Sequence, residues 1–159
     1  MKVINILLAV LAVLLLQTML LNRSHWFQYV DLFLLLNIYF ALNSSPLSCI
    51  AVSVGSGLIQ DAFSEGIVGM NAFSKSIVAY LISTLSSRLM IKHPLIIMIL
   101  VGIATVIDIT VVSGLHRLFG LQQMAISYQF ILLSCSMNMV VGFIGFQIAD
   151  RIRVRKEYA

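Results

Sequence analysis

The sequence predicts an all-α fold, a bundle of six transmembrane helices with both termini cytoplasmic. Three observations predict it. Of 159 residues, 60% are hydrophobic and only 10% are charged. The mean hydropathy is +1.04, and a soluble domain of this length would need far more charge to cover its surface. The apolar residues also gather into six runs near the roughly 20 residues that a helix needs to cross a bilayer core. Short polar turns separate them. No stretch resembles a soluble module, so the expectation is a single transmembrane domain over 1–159, with a short basic cytoplasmic tail at 150–159.

The first run, Val3–Leu21, follows Lys2 as a signal sequence would. It exceeds the ~7–15 residues of a signal core and lacks a small-x-small cleavage site, so it reads as an uncleaved anchor. Trp26 and Tyr29, after the turn, suit the aromatic belt of a membrane interface. The second run spans about Phe27 to Leu42, is short, and holds Asp31 near its start. Asn43-Ser-Ser-Pro46 is the clearest turn in the chain.

The third run, Leu47 to about Phe63, contains Ser53, Gly55 and Gly57. The Ser53-x-x-x-Gly57 spacing lets another helix approach closely. Ser64-Glu-Gly66 ends that run, and a fourth over Ile67–Ser87 carries Lys75. Pro94 opens the fifth, where proline is tolerated; this run holds Asp108 and reaches Leu115. The sixth covers about Met124 to Ala149.

Asp150 begins a tail with Arg151, Arg153, Arg155 and Lys156. Together with Lys2, Arg88 and Lys92 they face only Arg23 and Arg117 on the other side, which makes the termini cytoplasmic by the positive-inside rule. The tail reads as a topological anchor with a weak contact to anionic lipid. Nucleic acid is not expected as a partner.

The stretch from Gly57 to Lys75 is the part that apolar patterning cannot explain. Ionisable groups at membrane depth are costly, about 2.5–3.5 kcal/mol each on insertion scales, and they usually face a partner or a cavity. At ~1.5 Å per residue, Lys75 sits roughly 12 Å and Asp108 roughly 10 Å from the outer ends of their helices. Asp61 lies near an outer end, and Asp31 a few residues below another.

The candidate polar cluster is therefore Asp31, Asp61, Asn71, Lys75 and Asp108, with Lys75 expected to pair with Asp108 or with Asp61. Candidate helix-packing positions are Ser53, Gly55, Gly57, Gly66 and Gly69. The cluster either fixes helix register or lines a polar cavity for a solute, ion or proton.

Catalytic signals are missing. Cys49 and Cys135 lie in apolar runs without metal-ligand spacing. His25, His93 and His116 stand near run ends, where interface placement explains them. Ser134 and Ser136 read as helix contacts, and Met137 and Met139 as adaptable packing. No cofactor and no enzyme activity are expected.

Gly57-Leu-Ile-Gln-Asp61, followed by Gly66, Gly69, Asn71-Ala-Phe73, Lys75 and Tyr80, resembles the MreD family of the bacterial rod-shape system. Tyr39-Phe-Ala41 also matches. The resemblance implies a non-catalytic scaffold in the bacterial inner membrane. Its implied partners are MreC, a protein with one membrane helix, and the elongation machinery with MreB filaments, RodA and a class B penicillin-binding protein.

It also implies a fold like the substrate-binding subunits of energy-coupling-factor transporters. Small residues at Ser53, Gly55 and Gly57 would then admit the partner, so Gly57→Leu should weaken assembly. The alternative is a small-solute-binding subunit of a transporter, with a cavity lined by Asp61, Asn71, Lys75 and Asp108. A third reading, an enzyme or flippase for lipid-linked precursors, would need a larger polar groove.

Overall fold

The computed structural model describes residues 10–17, 28–64, 67–88, 93–120 and 127–157. Among them are six helices and no strand: α1 (10–17), α2 (Leu32–Asn43), α3 (Pro46–Phe63), α4 (Met70–Arg88), α5 (Pro94–Leu118) and α6 (Tyr128–Glu157). The two prolines of the chain open α3 and α5, where the missing N–H costs no helical hydrogen bond. Pro46–Phe63, Pro94–Leu118 and Tyr128–Arg151 are long and apolar enough to cross a membrane. The 19-residue α4 is more polar, because Asn71, Lys75 and a series of serines interrupt it.

Two elements differ from the sequence expectation. Asp31 does not lie inside the second helix. Its carboxylate accepts from the Leu34 N–H at 2.9 Å and caps α2, which therefore starts only at Leu32. At twelve residues α2 is about 18 Å long, short of the roughly 30 Å hydrocarbon core. At the other end, α6 continues through residues 150–157, so the basic stretch is helical.

α2 is the centre of the bundle. It is apolar on nearly every side, the pattern of a helix enclosed by others, and Leu34, Leu35, Ile38 and Ala41 are buried. α3 runs antiparallel to it, with the Ser56 hydroxyl donating to the buried Asn37 Oδ1 at 3.0 Å. α4 and α6 run parallel to it: the Ser86 hydroxyl reaches the Leu42 carbonyl at 3.5 Å, and Tyr39 meets Phe146 in a tilted ring contact with centroids 5.6 Å apart. Val78, Ala79 and Ile82 of α4 and Leu100, Val101 and Ala104 of α5 close the core. The opposite faces carry exposed Ile96, Ile99 and Ile103 on α5 and Leu132, Val140 and Ile144 on α6. Water would penalise such faces, whereas lipid is indifferent to them.

Close backbone approach occurs where glycine allows it. A Cβ on Gly57 would lie 2.3 Å from the Ala72 Cα, so α3 and α4 touch through their backbones there. Gly102 accommodates the Met139 thioether end between α5 and α6. A Cβ on Gly55 would meet no neighbouring helix within 4 Å among the described residues, and Gly55 is exposed, so it is not a packing position within the described chain. Ser53 is fully buried, and Gly66 lies outside the described residues.

Candidate functional site

The polar residues of the Gly57–Lys75 stretch form two adjoining sites. The first is the corner between α3 and α4. α4 begins at Met70, after Gly69, which has no side chain to cap the exposed N–H groups of a helix start. Asp61, in the last turn of α3, supplies the cap instead. Its Oδ2 accepts from the N–H of Gly69 at 2.8 Å and of Ala72 at 3.3 Å. Its Oδ1 accepts from the N–H of Asn71 at 3.1 Å and from the Asn71 side-chain amide at 2.8 Å.

A carboxylate at a helix N-terminus is also favoured by the helix dipole. Gly69 has φ +107°, a conformation that glycine adopts without strain, and this aims its N–H at Asp61. Gly69 is therefore a turn residue rather than a helix contact.

The second site is built around Lys75, one turn further into α4. Its side chain is fully buried. Nζ lies 2.8 Å from Asp31 Oδ2 and 3.8 Å from Asp108 Oδ2, and donates to Asn71 Oδ1 at 3.4 Å. The sequence expectation paired Lys75 with Asp108 or Asp61. The nearest carboxylate is Asp31, Asp108 is a longer second contact, and Asp61 makes no ion pair with Lys75. The reason is geometric: both Asp61 oxygens are taken by donors at the α4 N-terminus, while the Asp31 cap places a free oxygen above the centre of the bundle.

Surrounding residues hold the carboxylates in place. The Gln60 amide donates to Asp31 Oδ2 at 3.3 Å, and the Ser74 hydroxyl donates to Asp108 Oδ1 at 2.6 Å. The Asp31 N–H donates to Asn138 Oδ1 at 3.0 Å, and Asn138 Nδ2 donates to Thr105 Oγ1 at 3.2 Å. These bonds tie α2, α3, α4, α5 and α6 together at one level. Asn138 and Asp108 each stand ten residues from the nearer end of their helix, about 15 Å along it.

Sequence reasoning singled out the charged members but missed Gln60, Ser74, Thr105 and Asn138. The signal that could have found Asn138 is a lone amide within an otherwise apolar run, at the depth of Asp108.

Beside this network lies a cavity of about 220 Å³, lined on its polar side by Asp31, Gln60, Asn71, Thr105, Asp108 and Asn138. Asn71 and Asp108 were expected on such a wall. Asp61 and Lys75 do not line it, because both side chains turn into helix contacts behind it. Among the described residues no group of three or more His, Cys, Asp or Glu could hold a metal ion. The network can fix helix positions and can present polar groups to a small ligand.

No curated protein and no solved structure matches the chain. A family model does, the rod shape-determining protein MreD, over residues 1–148, a range that includes the corner, the ion network and the cavity. The match assigns a role in determining rod shape and names no reaction. With its apolar helices it marks a membrane protein: the chain belongs to the MreD family.

Proposed function

We propose that this protein is a non-catalytic scaffold of the cell-elongation machinery, a multi-pass protein of the bacterial inner membrane with six spans and cytoplasmic termini. In this reading the whole chain is one transmembrane domain. It binds an MreC-like protein with one membrane helix and helps to position peptidoglycan synthesis, in an assembly with RodA and a class B penicillin-binding protein. The family match over 148 of 159 residues carries the reading. The ion network supports it, because buried pairs of this kind serve best as registry devices. A fold related to energy-coupling-factor substrate-binding subunits belongs to the same proposal.

Of the three small residues expected to admit the partner, Gly55 is kept in this proposal and Ser53 and Gly57 are set aside. Gly57 and Ser53 are occupied by contacts inside the chain. Leu47, Ala51, Val54, Gly55 and Leu58 instead form one exposed face of α3, with a notch at Gly55. Copurification in mild detergent with the single-span partner tests this. The wild-type chain should retain the partner, and Gly55→Leu should lose at least tenfold in recovery without a change in thermal unfolding. An undiminished complex with Gly55→Leu would remove α3 as the docking face, and no complex with the wild type would remove the scaffold itself.

A second reading is favoured by the cavity, which suits a small-solute-binding subunit of a transporter. Its volume of about 220 Å³ is below the ~300–1,000 Å³ of common ligand pockets, so only a small solute would be enclosed.

A further inference from the structure

The groups around the cavity are unbalanced in charge and in hydrogen bonding. Asp31 and Asp108 bring two formal negative charges and Lys75 one positive charge. Asp31 holds the ammonium at 2.8 Å, and Asp108 Oδ2 is left at 3.8 Å, beyond hydrogen-bond length. One carboxylate is thus only partly compensated.

The unmatched neutral groups on the same wall include acceptors. Gln60 donates its amide to Asp31, which fixes the orientation of the group, and its Oε1 is buried without a partner among the described residues. Gln17 Oε1, from α1, is likewise buried without a partner among the described residues. Ser134, 3% exposed, also lines the cavity. The lining also includes the aromatic pair Tyr29 and Phe130, with ring centroids 5.4 Å apart.

Buried acceptors without donors cost free energy, a carboxylate without a full counter-charge costs more, and aromatic faces attract cations. A guest that answers all three is cationic, compact and rich in N–H donors. We propose that the cavity binds the primary ammonium group of a small amine or of an amine-headed lipid. The ammonium sits against Asp108 Oδ2, donates to the Gln17 and Gln60 carbonyl oxygens, and lies beside the Tyr29 and Phe130 rings. A quaternary ammonium has the charge but no N–H, and a neutral diol has donors but no charge, so both bind less well. The inference goes beyond the scaffold role. It rests on the solute-binding reading for the cavity being a ligand site, and deepens it by naming the ligand's charge and donors.

The test uses the full chain in phosphatidylcholine nanodiscs, followed by thermal unfolding at neutral pH. The probes are ethanolamine, tetramethylammonium chloride, sodium chloride and ethylene glycol. Ethanolamine should raise Tm saturably, by roughly 5–10 °C at a hundredfold excess over Kd. The other three should not. A parallel set of discs containing phosphatidylethanolamine separates the sources. A higher starting Tm there, with no further response to ethanolamine, assigns the site to the lipid headgroup; a response to ethanolamine equal to that in phosphatidylcholine assigns it to a free amine.

Asp108→Asn should abolish the response. Ser134→Leu fills the cavity while leaving the ion pairs in place, so it should abolish the response even if Asp108→Asn does not fold. A response that survives Ser134→Leu overturns the location. Equal stabilisation by tetramethylammonium or sodium overturns the N–H requirement. Binding of ethylene glycol alone overturns the charge assignment and leaves a solute site standing. Silence from every probe and from the phosphatidylethanolamine discs overturns both.

Discussion

Asp61, at the end of α3, and Lys75, in the second turn of α4, both bond the Asn71 side chain, yet their surroundings are opposites. Asp61 is satisfied by neutral donors that follow it within eleven residues: three backbone N–H groups and one amide. Lys75 depends on Asp31 and Asp108, 44 and 33 positions away in the chain. A locally saturated charge stabilises a turn and needs little from the rest of the molecule. A charge matched across the bundle is only as good as the packing of every helix that contributes to it. The corner should therefore tolerate change better than the ion network.

The sharpest way to break that comparison is Lys75→Met, which leaves the carboxylates of Asp31 and Asp108 buried without a cation. A loss of about 3–5 kcal/mol is expected, read as the largest drop in thermal unfolding temperature among single variants at these two sites. A loss no larger than that of Asp61→Asn would erase the distinction. Gly57→Ala comes next. Its Cβ would meet the Ala72 backbone, and overpacking of this kind costs about 1–3 kcal/mol. Gly55→Ala, with open space around it, should stay within about 0.5 kcal/mol, so the pair of variants separates the two glycines in one unfolding experiment. The smallest effect belongs to Asp61→Asn. The side chain keeps one acceptor oxygen for the α4 N-terminus, so the expected loss is about 1 kcal/mol, within the range for weakened helix caps.

The same contrast explains what could be read from the sequence. Gly57, Asp61, Gly69 and Asn71 fall within one short stretch, and the corner they build uses only that stretch, so its importance was visible as a pattern. Their individual roles were not: Gly57 and Gly55 look alike in sequence, and only the placement of α4 makes one a contact and the other an open surface. Counting residues from helix ends brought Lys75 and Asp108 to one depth, because helical rise is constant. It could not rank Asp31 above Asp108, since that order depends on which helix is central. The apolar character of α2 on all sides was legible, but in a membrane protein it is equally compatible with a lipid-facing helix. Asn138 and Thr105 were hidden for a related reason: isolated polar side chains in membrane helices are common, and only a partner on another helix gives them meaning.

The brevity of α2 has a consequence for the whole molecule. A central rod of twelve residues stands among flanking α3, α4, α5 and α6 of eighteen or more, a deficit of at least six residues, or about 9 Å. Asp31 caps the rod, and it lines the cavity together with Leu34, so the space at that end meets an acid as well as a leucine. A vestibule is thereby opened by where a helix stops, and inserting a single apolar turn ahead of Leu32 would plug it.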